Sequence, residues 1–226
     1  MKYQGYANEG GAVIDTAHAN EYVAKMRRAM SDSAYSLPES SLRLPFDEGL
    51  LKKSQKLAAK LAGPKLAYIL DIGIGGSNLG AKALYEATAG TMDAHTPFAP
   101  KMLFADTCSP ELLADIIEIL LSEITDKEEI IIIVSSKSGT TTETITNASV
   151  LVGALEKKLG PLADRIVCIT DENSPLWQVG EKQKYHLLPV PKMVVGRFSV
   201  FSPAGLFPLL CAGVEGDILL RGAQSV

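Results

Sequence analysis

Two short segments carry residues whose types and spacing suit an anionic ligand: Asp71-Ile-Gly-Ile-Gly-Gly-Ser-Asn-Leu-Gly80 and Ser135-Ser-Lys-Ser-Gly-Thr-Thr-Thr-Glu143. Each follows an apolar, β-branched run and opens a segment with helical character. In the first, glycines allow the backbone to come close to a ligand, and Ser77 stands at the turn. In the second, Ser135, Ser136, Ser138, Thr140, Thr141 and Thr142 crowd around Gly139 with Lys137 among them. Backbone N–H groups at a helix start, hydroxyl donors and little competing negative charge suit a doubly charged phosphate ester. Two such turns on neighbouring parallel strands converge at the carboxyl edge of a sheet, where open α/β folds bind ligands.

Plainer explanations compete at each position. Gly73-x-Gly75 with Gly80 approaches a dinucleotide fingerprint, but Asn78 occupies the third glycine position and the spacing fails. Asp106, at the end of the next strand, keeps a nicotinamide-dependent oxidoreductase open, since a carboxylate there can hold a ribose hydroxyl; it equally fits an ordinary strand-to-helix turn. One hydroxyl of the second loop is expected simply to cap a helix, and Glu143 is placed to complete a capping box toward Thr140. A lone loop lysine is usually a solvated charge, but the glycine and hydroxyls around Lys137 favour an anion site. A third segment, Val195-Gly-Arg-Phe-Ser-Val-Phe-Ser-Pro-Ala-Gly-Leu206, sets Arg197 beside Gly196. Its guanidinium suits an oxyanion or a structural salt bridge, and spacing alone leaves both open.

The elements that position these segments follow from periodicity. Helical spacing covers 20–30 and 50–61, with Gly63-Pro64 as a stop and Pro38 and Pro45 marking a loop between. Strands are predicted over 66–72, 101–105, 130–135, 165–170 and 185–188. Helices are predicted over 77–89, 110–121, 141–159, 175–183 and 202–212. The run 130–135 lacks polar alternation, as in a central parallel strand covered on both faces. The alternation implies a three-layer α/β/α domain with a five-stranded parallel sheet of flavodoxin-like type, preceded by N-terminal helices. Residues 1–64 are read as a helical lead-in, its first 17 residues loosely ordered, and 65–226 as the sheet domain. Residues 216–226 show no obvious closing element.

Composition narrows the function classes. The 226 residues carry a net charge of −4 with 46% hydrophobic and 21% charged residues. No block of Lys and Arg offers a nucleic-acid surface; Lys25, Arg27 and Arg28 fit the solvated face of a helix. Cys108, Cys168 and Cys211 are odd in number and widely spaced, and His18, His95 and His186 are scattered, so no metal site is expected. Three reduced thiols suit a reducing compartment. The first thirty residues lack a signal peptide's apolar stretch, and the stretch 198–214 is too broken to span a bilayer. A cytoplasmic protein without membrane or nucleic-acid partners is expected.

The three segments together, in this order and at these distances, resemble the glucose-6-phosphate isomerase family, from about Leu66 to the C-terminus. The resemblance implies the sugar-isomerase (SIS) type of phosphosugar-binding domain. It assigns Gly76, Ser77, Ser136, Lys137, Ser138, Thr141 and Gly196 to the sugar phosphate, and Arg197 to stabilisation of the enediol-like intermediate. Val195 stands where the family often has a second glycine. The implied reaction is aldose–ketose isomerisation of glucose 6-phosphate and fructose 6-phosphate by a homodimer, with neither metal nor organic cofactor implied. The family's glutamate base, ring-opening histidine and C-terminal lysine come in later segments. The 226 residues therefore read as the N-terminal half, expected to bind a sugar phosphate without turning it over. A non-catalytic phosphosugar sensor of the same fold is the alternative.

Overall fold

β-Branched runs without polar alternation build the centre of the molecule. In the computed structural model, which describes residues 16–90 and 100–225, every residue of strand β3 (Ile130–Ser135) is buried, as its unbroken apolar sequence requires. β1 (Tyr68–Gly73), β2 (Lys101–Ala105), β4 (Ile166–Thr170) and β5 (His186–Pro189) complete a five-stranded sheet of order β2-β1-β3-β4-β5. All neighbouring strands are parallel. The chain runs outward from β1 to β2 and then returns to place β3 on the other side of β1. The β1/β3 boundary is therefore the topological switch point, where this order opens a crevice at the carboxyl edge.

Helices cover both faces. On one, α2 (Glu48–Leu61), α3 (Leu79–Ala89) and α7 (Pro203–Cys211) pack Leu50, Tyr85 and Phe207 against Ile69, Ile133 and Ile169. On the other, α4 (Pro110–Glu123), α5 (Thr142–Leu159) and α6 (Pro175–Gln183) pack Ile116, Leu151 and Leu176 against Leu70, Ile132 and Cys168. The period-two alternation of each strand thus divides its side chains between two cores. Helix starts are set chemically. The side chains of Asp47, Ser109, Ser174 and Ser202 each accept a first-turn N–H at the N-cap of α2, α4, α6 and α7, three of them followed by proline. α1 (Thr16–Ser31) precedes this body and packs against a 3-10 segment, Ser40–Phe46.

Three sequence expectations need correction. Residues 216–224 do form a closing helix, α8 (Gly216–Gln224). Two glycines weakened its signal, but Leu220 packs with Leu51 and Leu206, and Gln224 Nε2 donates to the Pro45 carbonyl at 2.6 Å. The stretch between the first two helices is a 3-10 segment rather than plain loop, with Leu44 and Pro45 buried. No capping box forms at α5: its N-cap is Thr141 and the side chain makes no capping bond. His95 and the first 15 residues of the loosely ordered lead-in lie outside the described residues.

Candidate functional site

The two motif loops leave the sheet side by side because their strands are neighbours. Gly73, the last residue of β1, is in register with Ser135, the last of β3. Ser135 Oγ donates to the Ser77 carbonyl at 3.2 Å and ties the loops together. Asn78, buried, closes the glycine loop on itself by donating Nδ2 to the Gly73 carbonyl at 2.8 Å. The residue that breaks the dinucleotide spacing is thus the one that shapes this turn. Asp106 is held by Lys82 Nζ at 2.8 Å.

In the hydroxyl loop, Ser136 Oγ and Thr141 Oγ1 hydrogen-bond each other at 2.9 Å. This diverts Thr141 from capping, so its side chain does not cover the first-turn N–H groups of α5. Ser138 Oγ accepts from Thr140 N–H at 3.2 Å and lies exposed. Lys137 is half-buried; its carbonyl accepts from Asp171 N–H and Thr170 Oγ1, fixing the loop to the end of β4. Gly139 has φ +68°, and a Cβ there would lie 2.6 Å from Ser174 Oγ, so only glycine fits this bend against the start of α6. The loop therefore sits between the N-termini of α5 and α6, where partial positive charge favours an anion.

The arginine segment arrives from far along the chain. Gly196–Phe198 is a short 3-10 turn laid against the glycine loop. A Cβ on Gly76 would overlap the backbone of Gly196 and Arg197. Ser199 Oγ lies within hydrogen-bond distance of two carbonyls, Gly196 at 2.7 Å and Gly76 at 3.1 Å, joining both loops. Arg197 is exposed, 5.6 Å from the Phe198 ring, and makes no salt bridge among the described residues. The plain structural-pair explanation of Arg197 thus finds no partner here. The structure brings Gly76, Ser77, Gly196 and Arg197 into one cluster and Ser136 and Thr141 into another, bridged by Ser135. Lys137 and Ser138 instead line a hollow toward β4 and β5.

Sequence reasoning did not single out Ser199 as the joint, nor Ser135 as the bridge. Asp71, expected in the strand before the glycine loop, does lie there, but its isolation was not foreseen. This carboxyl is fully buried in β1 beside Phe104 and Ile133, and neither oxygen has a hydrogen-bond partner among the described residues. Burial, and secondarily the charge of Asp106, pushes it up to about 8. An aspartate inside an otherwise apolar strand was the available signal. Among the described residues, no cluster of His, Cys, Asp or Glu could hold a metal, and no helix is long and apolar enough to cross a membrane.

The order β2-β1-β3-β4-β5 with helices on both faces and these loops at the switch point defines a doubly wound α/β/α domain of flavodoxin-like type. The sequence model of the family described as Phosphoglucose isomerase matches residues 51–226, and the chain belongs to that family. A glucose-6-phosphate isomerase of Rubrobacter xylanophilus is 32% identical over 95% of this chain and 49% of its own length. A probable glucose-6-phosphate isomerase of Methanococcus maripaludis is 38% identical over 70% of this chain and 34% of its own. Among solved structures, a hypothetical protein of Thermus thermophilus superposes with a TM-score of 0.74 at 30% identity, covering 93% of this chain and 48% of that one. The chain spans about half the length, or less, of these relatives.

Proposed function

We propose that this chain is the phosphosugar-binding portion of a glucose-6-phosphate isomerase, with residues 1–64 as a helical lead-in and 65–226 as the binding domain. The observation that carries the reading is the register of Gly73 with Ser135, which sets the glycine and hydroxyl loops together at the switch point. Ser77, Ser136, Ser138 and Thr141, with Lys137 and the N–H groups starting α5, hold the phosphate. Gly76 and Gly196 keep side chains out of the approach. In the complete cytoplasmic homodimer, aldose–ketose isomerisation moves a proton between C2 and C1, and Arg197 stabilises the oxyanion of the enediol.

Phosphate contacts of this kind position a substrate but do not lower the chemical barrier. Arg197 acts only once a base removes the C2 proton. Asp71, buried in β1, and Glu143, exposed in the first turn of α5, are poorly placed for that step. The purified chain is therefore expected to bind glucose 6-phosphate, to leave NAD unbound, and to show no isomerisation in a coupled assay. Arg197-dependent turnover near that of a full-length isomerase, absent in Arg197→Ala, would overturn this assignment, as would tight NAD binding.

Within the loop, oriented hydroxyls should outrank the lysine. Short charge-assisted hydrogen bonds to phosphate are partly shielded, whereas a half-exposed ammonium acts mainly as a screened point charge. Ser138→Ala with Thr141→Ala is expected to weaken glucose 6-phosphate binding more than Lys137→Ala does. Calorimetry giving the opposite order would refute the ranking.

A further inference from the structure

A hollow of about 710 Å³ opens beside the hydroxyl loop, toward the carboxyl ends of β4 and β5. Lys53 of α2, Lys137 of the loop and Lys192 after β5 all line it. None of these ammonium groups has a salt-bridge partner among the described residues. Three cations without ion-pair partners among the described residues, from three separate parts of the chain, line one concavity, where two carboxylates offset their mutual repulsion only in part. Backbone strain gathers at the same place. Of the three described non-glycine residues with positive φ, Tyr35 (+53°) and Asn173 (+68°) line this hollow. Asparagine tolerates the left-handed region, but a tyrosine there is a genuine outlier. Its surroundings hold it: the ring is buried and the hydroxyl donates to Asp47 Oδ2 at 2.7 Å. Strain that the fold maintains in this way clusters at ligand sites.

We propose that this hollow is a second anion site, adjoining the monophosphate site and sharing Lys137 and Ser138 with it, that takes a ligand carrying at least two phosphate groups. The proposal rests on the reading of the hydroxyl loop as the monophosphate site. Asp171 and Glu172 also line the hollow and offset two of the three positive charges. A single phosphate gains little against them, so the site selects ligands whose charge engages all three lysines. Ser138, also on the wall, supplies a hydroxyl donor. An inorganic diphosphate and a hexose bisphosphate share this chemistry.

Calorimetry at constant ionic strength separates the possibilities, with pyrophosphate, fructose 1,6-bisphosphate and glucose 6-phosphate as probes. Lys53 and Lys192 are exposed, so Lys53→Gln with Lys192→Gln leaves the fold intact. This pair is expected to weaken pyrophosphate or bisphosphate binding about tenfold or more while glucose 6-phosphate affinity stays unchanged. Lys137→Gln weakens all the probes that bind, and Thr141→Ala weakens glucose 6-phosphate while sparing pyrophosphate. Tighter binding of the bisphosphate than of pyrophosphate marks a sugar ligand, and the reverse order an inorganic one. The proposal is overturned if neither doubly phosphorylated probe binds, or if their affinity is insensitive to the Lys53 and Lys192 changes. Loss of glucose 6-phosphate binding with pyrophosphate retained would instead refute the monophosphate reading alone.

Discussion

Replacing Asp71 by asparagine is expected to remove a large pH dependence of stability between about pH 4 and pH 8. The Asp71 carboxyl is fully buried with no hydrogen-bond partner among the described residues, and burial pushes it up to about 8. In the unfolded chain it titrates near the ordinary aspartate value of about 3.9. The native state therefore binds a proton that the unfolded state has already released. Stability is greatest below the unfolded value, falls as pH rises toward 8, and flattens above it. The accumulated loss by pH 7 is on the order of 4 kcal/mol, large beside a total stability of about 5–15 kcal/mol. Asparagine keeps the shape and carries a pH-independent desolvation cost. Urea midpoints of both proteins at pH 5 and pH 8 check this: the gap between them should shift in favour of the variant as pH rises. Parallel behaviour of the two proteins would mean that Asp71 finds a partner or water in solution.

Gly76→Ala is expected to disrupt the site more than any other single methyl group added to the glycine loop. Its Cβ would overlap the backbone of Gly196 and Arg197, which cannot rotate out of the way as a flexible side chain does. The 3-10 turn carrying Arg197 must lift, and Ser199 can no longer join both carbonyls. A cost of about 2–4 kcal/mol is expected, together with at least tenfold weaker glucose 6-phosphate binding. Gly75→Ala is the matched control. Gly75 has φ +57° with open space around its Cβ position, so alanine there costs only left-handed strain of about 1–2 kcal/mol. Equal denaturation midpoints and equal affinities for the two variants would show that the loops are not in register as described.

Much of this architecture was legible in the chain because its causes are local. The unbroken aliphatic run at β3 announced a central strand, and Pro110, Pro175 and Pro203 stand in the first turns of the helices predicted there, as found in α4, α6 and α7. Adjacency of the glycine and hydroxyl loops followed from parallel topology. What escaped depends on distant partners. Ser199 is an unremarkable hydroxyl until Gly76 is placed beside it. α8 is too glycine-rich to be recognised without Leu51 and Leu206 to receive Leu220. Thr140 and Glu143 fit a capping-box spacing, but the N-cap falls on Thr141, whose hydroxyl pairs with Ser136 instead. Asp71 stood in an apolar strand where nothing in its neighbours' identities reveals that no donor reaches it.

The clamp formed by Ser199 also bears on the order in which the protein is assembled. Gly76 and Ser199 are 123 positions apart, whereas the hydroxyl loop closes over five, from Ser136 to Thr141. Contacts of such separation form late, because loop closure must precede any gain from them. During synthesis the Ser136–Thr141 pair can close once β3 and the start of α5 have emerged, and the loop is fixed when Thr170 and Asp171 follow. The glycine loop has to wait until residue 199 leaves the ribosome. A nascent chain ending between these points would display the hydroxyl loop at a sheet edge with its neighbouring loop still unclamped, so ligand affinity should rise abruptly as the chain lengthens past Ser199.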